Sequence, residues 1–131
     1  MKYVYPAVFR REDEKRYSVE FPDIDGCYTS GGSLPEAIEM AEDALSLMLY
    51  DMEEDGVEIP APSDLKDVSA EADALVSLVC CDTLEYRKLY SNRAVKKTLT
   101  IPTWLNTMAE RAGLNFSNVL QEALKQRLDI Q

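Results

Sequence analysis

Residues 94–128 read AVKKTLTIPTWLNTMAERAGLNFSNVLQEALKQRL, from Ala94 to Leu128. Val95, Leu99 and Ile101 alternate with Lys96, Thr98 and Thr100, so a strand here carries one apolar and one polar face. Pro102 ends that strand. Trp104, Leu105, Met108, Ala109 and Ala112 then mark one face of a helix running from about Thr103 to Ala112. Gly113 is placed for a left-handed cap. Ser117 is a good N-cap for a second helix, which buries Val119, Leu120, Ala123, Leu124 and Leu128. A lone strand has no backbone partner, and a unit of about 35 residues is too small to build its own core. Pairing with the copy in a second chain answers both needs. The resulting two-stranded ribbon fits the major groove of DNA.

Charge divides the chain. Residues 1–81 hold 6 Lys or Arg and 19 Asp or Glu, a net of −13. Residues 82–131 hold 8 and 5, a net of +3. Such asymmetry suggests two halves with different partners. An acidic half attracts basic surfaces, and a mildly basic half can approach phosphates. The chain has no histidine, which removes the usual general base near neutral pH and the commonest metal ligand. The three cysteines, Cys27, Cys80 and Cys81, have no metal-ligand spacing and read as small core or near-core residues. Their odd number, with no secretory signal at the N-terminus, leads us to expect a reducing, cytoplasmic compartment. No apolar run approaches the length of a membrane helix.

The first 82 residues predict β-β-β-α-β, an α+β domain. Tyr3–Arg10 and Tyr17–Phe21 are strands around a charged loop, and Pro6 suggests an edge or a bulge for the first. Phe21–Gly26 is a turn, and Cys27–Thr29 a short third strand. Ser33 and Glu36 form a capping box with Pro35 in the first turn. The helix that follows is apolar at Leu34, Ala37, Ile38, Ala41, Ala44, Leu45, Met48 and Met52, and polar at Glu39, Glu42, Asp43, Ser46, Tyr50 and Glu53. Gly56 is its C-terminal cap. Ala74–Cys81 is nearly all apolar and predicts a well-buried fourth strand. Residues 83–93 form a linker, with helical potential from Leu84 to Tyr90. Residues 94–131 form the second domain.

The C-terminal pattern resembles the ribbon-helix-helix family of DNA-binding proteins. That resemblance implies base reading by the outward strand residues Lys96, Thr98 and Thr100. It also places Ser117 and Asn118 at a helix start that can hold a phosphate, and Lys97 and Arg93 are expected to add phosphate contacts. The stretch Val19–Leu45 is similar to the HicB antitoxin family through Pro22, Asp23, Gly26, Cys27, Gly32, Ser33, Leu34 and Ala37. The linker and C-terminal unit also look like members of that family carrying a ribbon-helix-helix unit. The resemblance implies a partial RNase H-like N-terminal fold and a type II toxin–antitoxin pair. The partner implied is a HicA-like toxin, a small basic ribonuclease that cleaves mRNA. The second target implied is operator DNA, bound by a homodimer or higher oligomer that represses its own operon.

For the toxin, the candidate contacts are the acidic turn, Glu20, Asp23 and Asp25, and the helix face, Glu39, Glu42 and Asp43. Each also reads as solvated surface, and Gly26 as a residue needed only for positive φ. A nuclease using Glu20, Asp23 and Asp25 on Mg²⁺ lacks converging carboxylates on the last strand, so the expectation is no enzyme, no metal and no cofactor. The rival reading is a ribbon-helix-helix repressor whose acidic domain senses a small molecule.

Overall fold

The computed structural model describes residues 1–130. The chain separates into two units, Met1–Arg93 and Ala94–Gln131. The first is an α+β unit built on one four-stranded antiparallel sheet: β1 (Lys2–Arg11), β2 (Tyr17–Glu20), β3 (Tyr28–Gly31) and β4 (Leu75–Asp82), in the order β3-β2-β1-β4. Helix α1 (Leu34–Asp55) carries the chain from one edge strand to the other, and α2 (Thr83–Tyr90) follows β4.

One face of each strand builds the core, and on β1 Pro6 and Val8 of the opposite face are buried as well. Tyr5, Ala7 and Phe9 of β1, Val19 of β2 and Val79 and Cys81 of β4 are buried against α1. The helix contributes Ala37, Ala41, Leu45 and Leu49, none with exposed surface. Leu49, which the sequence reading missed, completes the i, i+4 stripe, and Ile38, assigned to the apolar face, is 43% exposed. Ser33 caps α1 by accepting the Glu36 N–H at 3.3 Å, and Gly56 ends it at φ 66°. Gly31 is required by a close approach, since a Cβ there would stand 2.4 Å from the Ala37 nitrogen. The Phe21–Cys27 loop closes on itself through Phe21 N–H to the Cys27 carbonyl at 3.0 Å, pointing Phe21, Ile24 and Cys27 inward. Gly26 supplies its φ of 76°.

Three features differ from the sequence reading. Pro6 does not place β1 at an edge, because β1 lies between β2 and β4. β2 pairs only with Val8–Arg11, so Pro6 sits where β1 has a neighbour on the β4 side alone. β4 is not buried on both faces. It is the edge strand, with Leu78 51% exposed and Cys80 exposed while Cys81 faces the core. Cys80 is therefore no core residue. Third, Glu53 turns inward from the polar side of α1. A 3-10 turn, Leu65–Asp67, packs beside β4 on the way from α1.

The second unit contains α3 (Thr103–Arg111) and α4 (Phe116–Arg127). Gly113 adopts φ 70° between them. The N-cap of α4 is Asn115, whose side chain accepts the Asn118 N–H at 3.1 Å, and Ser117 lies inside the first turn instead. Residues 92–102 form no strand in the single chain, whose only predicted strand partner is a second copy. Among the described residues none of this unit is buried, so Val119, Leu124 and Leu128 stand exposed at 45%, 51% and 65%. One chain supplies no second layer to cover them.

Candidate functional site

The six acidic residues singled out in the first unit fall into two places. Glu20 binds Arg10 at 2.6 Å, and Arg10 also reaches Glu71 at 2.8 Å. The Glu71 and Glu20 bonds raise the Arg10 pKa. Asp23 accepts the Ser63 N–H at 2.9 Å and the Ser63 hydroxyl at 2.6 Å, pinning the chain that leaves α1. Asp25 is exposed in the same cleft as Arg10 and Glu20. Two of the three turn acids are thus already engaged within the chain.

Glu39, Glu42 and Asp43 line a groove of about 380 Å³ between α1, the end of β4 and α2. Ser46, Cys80 and Cys81 line it too, and so do Asp82, Glu85, Tyr86, Leu89 and Tyr90. These last five were not singled out from sequence, although Tyr86 and Tyr90 stand at the i, i+4 spacing of one helix face. Their rings lie 4.5 Å apart, and Tyr50 is 5.2 Å from Tyr86. Burial, then the Asp43 carboxylate, pushes the Tyr86 pKa up, so its hydroxyl stays a neutral donor. The groove presents carboxylates with exposed apolar Leu89 and Tyr90, a surface suited to a basic partner with apolar stems.

Helix α2 is fastened beneath this groove by Glu53. Its carboxylate accepts Tyr3 Oη at 2.8 Å, Thr83 Oγ1 at 2.9 Å and the Arg87 guanidinium at 3.1 Å. Arg87 also bonds Glu54 and lies 4.8 Å from the centre of the Tyr50 ring. Burial alone would raise the Glu53 pKa, but the three hydrogen bonds and the Arg87 charge hold it below its ordinary value. Burial, followed by the bond to Glu53, pushes Tyr3 up to about 12. Thr83 is the buried polar residue at the start of α2. Among the described residues, no group of three or more Cys, Asp or Glu could hold a metal ion, and no helix is long and apolar enough to cross a membrane.

In the second unit, Leu99, Ile101, Leu105, Ala109, Leu114, Phe116, Val119, Leu120 and Ala123 line a largely apolar groove of about 590 Å³. Lys97 and Ser117 lie at this groove as well. Lys96, Thr98 and Thr100 do not line it, and all three are exposed. Odd and even positions of the 96–101 segment therefore separate as alternation requires, while Val95 stands outside the groove and exposed. Asn118 spends its N–H on Asn115, which removes one of the free donors foreseen for a phosphate.

The chain is thus an acidic sheet-and-helix unit followed by a helix pair with no core of its own. Residues 5–123 match the model of the HicB_like antitoxin of bacterial toxin-antitoxin systems. The chain belongs to that HicB-like antitoxin family. Antitoxin HicB 2 of Photorhabdus laumondii is 38% identical over 73 residues, covering 56% of this chain and 52% of its own length, so the chain spans about half of that relative. A protein from the rep-hol intergenic region of Haemophilus phage HP1 is 28% identical over 105 residues, covering 78% of this chain and 75% of its own. Among solved structures, a toxin-antitoxin complex from Streptococcus pneumoniae aligns at TM-score 0.62 and 32% identity, covering 97% of this chain and 99% of that one. The antitoxin HicB of Burkholderia pseudomallei shares the fold at TM-score 0.55 and 22% identity, covering 96% and 98%.

Proposed function

We propose that the chain is a non-enzymatic antitoxin and autorepressor. Its first unit, read as a partial RNase H-like domain, binds and neutralises a HicA-like basic ribonuclease. Its second unit, read as a ribbon-helix-helix dimer, binds operator DNA. The family match across residues 5–123 is the observation that carries this reading. The uncovered apolar groove of the second unit supports the dimer, because a second copy can bury it and pair the 95–101 segments.

On this reading Lys96, Thr98 and Thr100 face the DNA bases. Lys donates to guanine O6 or N7, and Thr hydrogen-bonds or touches the thymine methyl. Lys97 belongs with the dimer groove or its rim. Ser117, in the first turn of α4, offers its backbone to a phosphate. Of the toxin candidates, Glu39, Glu42 and Asp43 are favoured over Glu20 and Asp23, which are occupied by Arg10 and Ser63. Charge complementarity speeds the encounter and excludes wrong partners more than it deepens affinity.

The test is co-expression with the product of the neighbouring gene, followed by co-purification and an RNA-cleavage assay. A stable complex with suppressed cleavage is expected. Separate elution of the two proteins with undiminished cleavage would refute the antitoxin reading.

A further inference from the structure

We propose that the free edge of β4 pairs antiparallel with β4 of a second copy of this chain, in the register that sets Leu78 against Leu78. The two edges of the sheet are unlike. β3 is four residues long and ends at Gly31, and so offers little. β4 is eight residues long and carries no proline. Leu75–Cys81 has no charged residue. Natural edges are usually blunted by a lysine, a proline or a bulge, and this one is not. Its outer row of backbone groups has no partner among the described residues. The neighbouring 3-10 turn bonds only to itself, through Asp67 N–H to Asp64 and Val68 N–H to Leu65.

The face pattern selects the partner. Outward from the sheet stand Val76, Leu78 and Cys80, flanked on β1 by Val4, which is 42% exposed. The uncharged run Leu75–Cys81 is centred on Leu78. A two-fold axis at Leu78 therefore lays Val76 against Cys80 and Ser77 against Val79. It keeps apolar faces together and opposes no two carboxylates within the paired run. It also leaves both copies of α1 on one side of an eight-stranded sheet. Charge argues the same way. Two copies of a unit this acidic repel everywhere except along an uncharged strip.

Such a strand pair falls short of the roughly 1,200 Å² that a stable interface buries on its own. It closes only between copies already held together by the dimer proposed for the second unit, a reading on which this inference rests, at the effective concentrations of about millimolar that a tether provides. Because repulsion is what opposes it, added salt strengthens the pairing. Contacts with a basic toxin or with DNA weaken with salt instead.

Cysteine cross-linking of the full chain tests the register, since directly opposed residues of antiparallel strands lie within disulfide reach. In a Cys80→Ser background, Leu78→Cys is expected to give a disulfide-linked pair under mild oxidation, and Val76→Cys is not. Val76→Cys with Cys80 retained is expected to cross-link, at least tenfold less once Leu78→Lys is added. Leu78 is half exposed, so each variant should keep its melting profile, which is checked first. No cross-link from either Leu78→Cys or Val76→Cys with Cys80 would overturn the proposal. So would equal cross-linking of Val76→Cys with and without Cys80.

Discussion

Replacing Glu53 by glutamine tests whether α2 is held by a partly buried negative charge. Three donors meet this carboxylate: Tyr3 and Thr83 on Oε2, and Arg87 on Oε1. Glutamine keeps the shape but only one acceptor oxygen. If that oxygen serves Tyr3 and Thr83, the amide NH₂ is turned against the Arg87 guanidinium, donor to donor. A hydrogen bond to a charged group contributes about 1.5–3 kcal/mol. The Arg87 side chain is about a third exposed, and solvent screening discounts its share. We therefore expect Glu53→Gln to destabilise the chain by about 2 kcal/mol at pH 7. The assay is urea unfolding at fixed protein concentration, because association shifts apparent stability.

The pH dependence supplies the control. Glu53 has a folded pKa held below its ordinary value of 4.5. Its contribution is therefore complete above that value and is lost as pH falls through the lower, folded one. The gap between wild type and Glu53→Gln should shrink steadily below pH 4.5. An equal gap at pH 7 and at pH 3 would show that packing, not the charge, is what the substitution removes, and would refute the reasoning.

Four further outcomes follow from the same geometry. Leu45→Ala, at a fully buried site of α1, should cost about 2–5 kcal/mol in the same unfolding assay. Gly31→Ala should lower the melting temperature more than Gly32→Ala, because only at Gly31 does the new methyl meet the backbone of Ala37, while at Gly32 the nearest atom is the Glu36 carboxylate at 3.6 Å. A thiol reagent at neutral pH should label Cys80 first and reach Cys27 and Cys81 only after unfolding. The latter two are buried, and burial pushes Cys27 up to about 11. Thr98→Ala combined with Thr100→Ala should abolish operator-specific DNA binding measured by gel shift while leaving toxin neutralisation intact. Survival of both activities would remove the 95–101 segment from the reading surface.

Local signals carried far. The Ser33 cap, the Gly56 stop and the strand character of Tyr3–Arg10 are short-range chemistry, and they are legible because a residue and its neighbours decide them. Position within the sheet is not decided locally. The apolar run at Leu75–Cys81 looks like a central strand, yet it lies at the edge, since apolar content does not say whether a second neighbour exists. Pro6 pointed toward an edge for a local reason, but β2 is too short to reach it, so the strand is internal and the proline still harmless. Asn115 rather than Ser117 caps α4, because both residue types cap well and the turn after Gly113 chooses between them. Glu53 read as solvent-facing because its partners, Tyr3 and Thr83, are 50 and 30 residues away. The acidic groove was half legible for the same reason: Glu39, Glu42 and Asp43 share a helix face, while Glu85 and Tyr86 join them only when α2 docks.

The second unit, with no buried side chain among its described residues, makes its own abundance a variable of its folding on the dimer reading proposed above. If the proposed dimer supplies its missing core, its ordering is a second-order event. Halving the number of chains lowers the rate at which partners meet by about fourfold, whereas loss of each unaccompanied chain stays first order. Scarce copies therefore expose Trp104, Met108 and Leu128 to proteolysis for longer, and plentiful copies shelter one another. A helix pair built this way turns a gradual fall in supply into a steeper fall in working molecules.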